Sequence, residues 1–121
     1  MKVLICDDDK MTIRALEFQF KKEGFEVIKA SNGKDGQKIL MENSDIDMLV
    51  TDIYMPLVGG LELITYVRQN LHLDIPIIVL SLANLEENIL HAYELGANTY
   101  LSKPFKLEEL SSSVKNLLKN E

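Results

Sequence analysis

Tryptophan is absent from this 121-residue chain, cysteine occurs once and proline three times. A single cysteine closes no internal disulfide, so the fold is not a bridge-stapled one, and a reducing, cytoplasmic setting fits it best. Long apolar runs are missing too. The longest, Ile75 to Ala83, is interrupted by Pro76 and Ser81 and falls well short of the ~20 residues that span a bilayer, so no membrane helix is expected. The opening Met1-Lys2-Val3-Leu4-Ile5-Cys6-Asp7 reaches acid too soon for a signal peptide. Basic residues are in deficit: 13 Lys+Arg against 19 Asp+Glu leave a net charge of −6. That sign opposes phosphate backbones and anionic lipid, so direct nucleic-acid binding and membrane association are not expected. The length lies below the ~150 residues of a typical domain, which predicts one unit over residues 1–121 and excludes a two-domain enzyme. With 46% hydrophobic and 26% charged residues the chain has the means to bury a core.

What is present is an alternation. Strand-length apolar runs, Lys2 to Cys6, Phe25 to Ala30, Met48 to Thr51, Ile75 to Leu80 and Thr99 to Leu101, are each followed by a segment of helical spacing. The pattern is (βα)5. Continuous rather than alternating hydrophobicity in several strands indicates burial on both faces, hence an α/β, doubly wound fold with a parallel sheet covered on each side. The first helix sets Ile13, Leu16 and Phe20 on one stripe and ends at Gly24, while Phe18 falls off the stripe. The second follows Asn32 as N-cap, gathers its apolar residues at Ile39, Leu40 and Met41, and is weakened by Gly36. The third aligns Leu61, Ile64, Val67 and Leu71. The fourth starts after Asn84 with Glu87 three residues on, stripes Leu85, Ile89 and Ala92, and stops at Gly96; the fifth aligns Leu107, Leu110, Val114 and Leu117.

In open parallel sheets ligands bind beyond the carboxyl ends of the strands. Here the first run ends in Asp7-Asp8-Asp9, the third in Asp52, the fourth at Ser81, and the fifth leads to Lys103-Pro104. Brought together, Asp7, Asp8 and Asp52 would repel by about 4 kcal/mol per pair at ~4 Å and an effective dielectric near ~20, and something cationic must relieve that. A hard divalent ion that keeps waters and accepts phosphate oxygens suits such carboxylates, Mg²⁺ better than Ca²⁺, with Lys103 as a second positive charge. The alternative is that Asp7 to Asp9 only cap the first helix. Asp52 has no evident cap role, and a carboxylate between Met48-Leu49-Val50-Thr51 and Ile53 costs solvation.

The pair Asp7-Asp8, the run Asp52-Ile53-Tyr54-Met55-Pro56 followed by Gly60, Ser81 closing the fourth strand, and Tyr100 three before Lys103-Pro104-Phe105 together resemble the receiver domains of two-component response regulators over essentially the whole chain. The resemblance implies a flavodoxin-like five-stranded sheet in the order 2-1-3-4-5. It implies Mg²⁺-dependent (or Mn²⁺-dependent) phosphoryl transfer from a sensor histidine kinase, a phosphotransfer protein or a small acyl phosphate onto Asp52, assisted by Lys103 and Ser81. Asp7, Asp8, Asp52 and the main-chain carbonyl of Tyr54 would hold the metal. Ser81 and Tyr100 would relay the change to the face built by the fourth helix, fifth strand and fifth helix, where a downstream effector or a second copy binds on phosphorylation. The Lys103-Pro104 bond would be cis. Such a domain is a signalling switch and not a turnover enzyme.

Two positions depart from the common receiver pattern. Leu82 follows Ser81 where Ala or Gly is usual, which predicts either a shield that slows self-hydrolysis, with Tyr54 adding to it, or restricted access for donors and phosphatases. Gly59-Gly60 replaces Asp-Gly, losing a side-chain N-cap on the third helix. His72 and His91 lack soft partners and read as bystanders, and Cys6 as a small core residue. Leu90 and Tyr93 form a second apolar flank on the fourth helix that reads as partner surface, and Phe18 suggests a kinase-docking patch. Competing readings are a small haloacid-dehalogenase-like phosphatase with Asp7 as nucleophile and Asp9 as acid, and a phosphorylation-independent receiver-like module. The first wants Thr or Val where Met11 stands; the second sits poorly with an intact Asp52, Ser81 and Lys103. A flavodoxin-like cofactor binder has no Gly-rich phosphate loop to support it.

Overall fold

Three of the strands are apolar along nearly their whole length because they occupy the middle of the sheet. In the computed structural model, which describes residues 1–82 and 85–119, the chain runs β1 (Lys2–Cys6), α1 (Lys10–Lys22), β2 (Glu26–Ala30), α2 (Gly33–Glu42), β3 (Met48–Thr51), α3 (Gly60–Thr65), β4 (Ile77–Ser81), α4 (Glu86–Leu95), β5 (Thr99–Ser102) and α5 (Leu107–Lys119). All pairings are parallel, in the order β2-β1-β3-β4-β5. The flavodoxin-like arrangement implied by the resemblance is the one observed.

Side chains of a strand alternate between faces, and the core divides accordingly. Leu4, Cys6, Leu49, Ile77 and Val79 pack under α2, α3 and α4 against Leu40, Leu63, Ile64, Val67 and Ala92. Val3, Ile5, Met48, Val50, Ile78 and Leu80 pack on the opposite face against Leu16, Phe20, Leu110 and Val114 of α1 and α5. Phe20 meets Phe25 edge-to-face at 5.1 Å between ring centres. Cys6 lies within the first layer, and its burial pushes the thiol up to about 12, as befits an inert core residue.

Helix ends follow local chemistry. Asn32 accepts from the Asp35 N–H at 2.8 Å, and Gly24 has the positive φ of 91° expected of a residue ending α1. Gly36 does not break α2; a Cβ there would press on the Cys6 sulfur, so its absence lets the helix lie close on β1.

Several sequence-derived details are corrected. β4 begins at Ile77, because Pro76 brings only its carbonyl to the ladder, accepting from Leu49 N–H at 3.0 Å, and it extends through Ser81. α3 is α-helical only to Thr65 and widens into a π-helical turn over Tyr66–Asn70, closed by Leu71 N–H to Tyr66 O at 3.0 Å. Its buried side chains are Leu63, Ile64 and Val67, with Leu61 and Leu71 half-buried at the margin. Met41 is exposed, since neighbours on a helix diverge by about 100° and Leu40 takes the core position. Leu85 is the exposed residue preceding α4, not part of a buried stripe, and Ala92 alone is buried on that helix among the described residues; Asn84 lies outside them. Leu107 sits at the exposed start of α5.

The π-helical turn carries Arg68, which ties two connections together, the one leading into β4 and the one leading into β5. Its Nε and Nη2 donate to Gly96 O at 3.1 and 2.8 Å, Nη1 to Leu73 O and Ile75 O at 2.8 Å each, and Nη2 also to Asn98 Oδ1 at 3.0 Å. Arg68→Ala is expected to cost about 3 kcal/mol in urea unfolding, because these carbonyls lose a charged donor. Lysine there should recover less than half, as one ammonium does not reproduce the planar fork.

Candidate functional site

Strand register builds the site. Cys6 pairs with Thr51 across β1 and β3, so the residues that follow, Asp7 and Asp52, leave the sheet side by side. Ser81 pairs with Ser102 across β4 and β5, which places Lys103 one residue past the rim. The ladder continues past the strand ends: Asp7 N–H donates to Ala30 O at 3.1 Å, Asp52 N–H to Cys6 O at 3.0 Å and Lys103 N–H to Ser81 O at 2.9 Å. Gly60 completes the frame. Its N–H donates to Ile53 O at 2.7 Å, and a Cβ at this position would run into the Asp52 carbonyl oxygen.

Asp7 is almost wholly buried, and the Asp52 side chain is 12% exposed. Lys103 Nζ lies between them, 2.7 Å from Asp7 Oδ2 and 3.0 Å from Asp52 Oδ2. The second oxygens accept backbone N–H groups, Asp7 Oδ1 from Asp9 at 2.9 Å and Asp52 Oδ1 from Ile53 at 2.6 Å. Asp8 is exposed at the mouth, and Asp7, Asp8 and Asp52 each offer an oxygen within 4.8 Å of the others. Hard oxygen donors at this spacing, with one ammonium for three carboxylates, fit Mg²⁺ or Mn²⁺.

Burial raises the Asp7 carboxyl above the ordinary range and outweighs the opposing hydrogen bond from Lys103. Burial works against the Lys103 ammonium, but its hydrogen bonds to Asp7 and Asp52 prevail and hold its pKa up. The group raised in the fold favours folding in acid and loses that contribution as pH rises through its folded pKa. Asp7→Asn, which keeps an acceptor for Asp9 N–H, is therefore expected to be more stable than wild type at neutral pH. That advantage should vanish toward acid pH in urea titrations run without divalent ions.

Asp9, by contrast, caps α1: its carboxylate accepts from Met11 N–H at 3.2 Å and Thr12 Oγ1 at 2.7 Å. The acidic run thus divides, with Asp9 closing the helix and Asp7 and Asp8 facing the rim. Gly59 precedes α3 without a side-chain cap.

Ser81 is buried at the end of β4. Tyr100 packs against the α2–α3–α4 layer; burial raises its hydroxyl pKa, and a hydrogen bond with Ser81 opposes the rise. The Lys103–Pro104 peptide is cis. Leu82 is 72% exposed and lines, with Met11, Ala15, Pro104, Phe105 and Leu107, an apolar hollow on the α1 side of Lys103. Tyr54, two residues past Asp52, is exposed and its hydroxyl accepts from Asn88 Nδ2 at 3.1 Å, and the Tyr93 hydroxyl accepts from Tyr100 N–H at 3.1 Å. Sequence reasoning missed Asn88, because no local pattern links positions 34 apart. His72 and His91 are exposed and belong to no ligand cluster among the described residues. No described helix is long and apolar enough to cross a membrane.

Residues 3–115 match the family profile of the response regulator receiver domain. The response regulator SaeR of Staphylococcus epidermidis is 37% identical over 116 residues, covering 96% of this chain and 49% of its own length. Its Staphylococcus aureus counterpart is 35% identical, covering 96% and 50%. The chain thus spans about half the length of the curated relatives it matches. Among solved structures, a Francisella receiver domain superposes with a TM-score of 0.89 at 31% identity, covering 98% of this chain and 97% of that one. A Clostridium difficile two-component response regulator gives 0.92 at 28%, covering 98% and 96%. The CheY of a CheX–CheY–BeF3–Mg²⁺ complex from Borrelia burgdorferi gives 0.90 at 26%, covering 98% and 89%. With four strand tips joined at one acidic rim and this likeness along nearly its whole length, the chain belongs to the receiver domains of two-component response regulators.

Proposed function

We propose that the segment works as one receiver unit in which Asp52 accepts a phosphoryl group and Ser81 and Tyr100 relay its presence. The observation that carries the reading is the meeting of Asp7, Asp8, Asp52 and Lys103 around one opening, with Asp52 just reachable from solvent. A carboxylate oxygen of Asp52 bonds to phosphorus as the donor bond breaks, the P–N bond of a phosphohistidine or the P–O bond of acetyl phosphate. The leaving group keeps the electron pair, so acetate departs as the anion, and a phosphohistidine whose second ring nitrogen carries a proton leaves as neutral imidazole. Asp7, Asp8, Asp52 and the Tyr54 carbonyl would hold Mg²⁺ or Mn²⁺, which when bound neutralises charge on the transferring oxygens. Lys103 exchanges its bond to Asp52 for one to a phosphoryl oxygen, supplying a fixed positive charge where negative charge accumulates.

The new oxygens attract the Ser81 hydroxyl. Because Ser81 and Tyr100 share a hydrogen bond, drawing Ser81 toward the phosphoryl group changes what Tyr100 bonds to, and the α4–β5–α5 face reads that change. Donors of the proposed kind are a sensor histidine kinase or phosphotransfer protein in the cytoplasm, and the recipient is an effector protein or domain. The beryllofluoride–Mg²⁺ complex of the Borrelia relative supports the same chemistry.

Incubation with acetyl phosphate and Mg²⁺, read by intact mass, tests this. A single base-labile phosphoryl adduct is expected, and none after EDTA. An adduct mapped to Asp7 would transfer the case to the phosphatase reading.

A further inference from the structure

The rim has two candidate covers, Leu82 and Tyr54, and the structure distinguishes them. Leu82 projects into the hollow beyond Lys103, where it is 72% exposed. Tyr54 lies on the other side, near enough to Tyr100 for their hydroxyls to interact electrostatically, and is tied to α4 through Asn88 at 3.1 Å. A 63%-exposed aromatic ring would otherwise turn freely and cover nothing steadily.

Among the described residues the first turn of α4 has few other anchors. Leu85 precedes the helix without a side-chain cap bond, and Ala92 is the helix's buried residue among those described. The tie between Asn88 and Tyr54 therefore fixes where the hydroxyl end of the ring lies.

The geometry points to Asn88 as a positioning residue that pins Tyr54 across the α4 side of the opening and thereby lengthens the life of the phosphoryl group on Asp52; this rests on the function proposed above. Loss of the group is hydrolysis. Water's oxygen bonds to phosphorus as the bond from Asp52 oxygen to phosphorus breaks, returning the carboxylate and releasing inorganic phosphate. A ring held over the opening limits the approach of that water, whereas a ring released from Asn88 admits it.

The test is decay of the adduct after the phosphorylated protein is freed of acetyl phosphate and kept in Mg²⁺. Asn88→Ala and Tyr54→Phe should each speed decay by about threefold, the worth of one exposed hydrogen bond. The double variant should decay no faster than either single one, because both remove the same tie. Asn88→Gln, which keeps the amide donor, should recover most of the lifetime, an outcome that mere loosening of the helix does not produce. Unchanged lifetimes in the single variants, or multiplied effects in the double, overturn the role of Asn88 while leaving phosphorylation of Asp52 intact. No adduct on the wild type overturns both.

Discussion

Asp52→Asn is expected to take up no phosphoryl group from acetyl phosphate at any Mg²⁺ concentration, while remaining folded. An amide oxygen is too weak a nucleophile for the transfer, and Asp7, the carboxylate beside it, is buried against Lys103 with its remaining oxygen held by the Asp9 N–H. Stability should stay within about 1 kcal/mol of wild type, because opposing effects nearly cancel. The variant gives up the 3.0 Å pair with Lys103 but also the repulsion from Asp7 and the desolvation of one carboxylate. Asn Oδ1 still accepts the Ile53 N–H that Asp52 binds at 2.6 Å. Intact mass together with urea unfolding separates the two effects. An adduct on this variant, or a collapse of the fold, would contradict the assignment.

Lys103→Ala is expected to damage both fold and chemistry. Removing the ammonium leaves Asp7 and Asp52 side by side and largely buried with no cation between them, and breaking such a cluster from one side costs about 3 to 5 kcal/mol. Phosphoryl uptake should fall by a factor on the order of 100, the usual worth of one aimed donor or charge on a developing anion. The two losses differ in their response to Mg²⁺. A divalent ion at the carboxylates replaces the missing charge and should restore much of the stability, yet it does not supply the additional contact to the phosphoryl oxygen. A variant stable in Mg²⁺ but slow to accept the group is the expected result; equal recovery of both would remove Lys103 from the chemistry.

The candidate site was legible in the sequence to an unusual degree, for a physical reason. Parallel strands of similar length all point the same way, so residues that end apolar runs collect at one edge whatever the details of packing. Asp7, Asp52, Ser81 and Lys103 could each be found as the polar residue at or just beyond such a run. Helix contacts were read less well. Periodicity locates a face but not its margins, so Leu85 and Leu107 looked like core residues and lie exposed at helix starts, while Leu63 was passed over and is fully buried. The π-helical turn at Tyr66–Asn70 shifts the stripe of α3, and no residue within it announces that shift.

From the order of its residues alone this chain has its (βα)5 alternation, its buried central strands and the identity of the groups at their ends, because burial and turn chemistry act over a few neighbours. Pairings between distant positions belong to the tertiary structure: Lys103 lodged between Asp7 and Asp52, Asp9 turned away to cap α1, Arg68 clasping Gly96, and Asn88 holding Tyr54. Hydrogen bonds and ion pairs take effect only within a few ångströms, and which side chains come that close is decided by sheet register and helix placement.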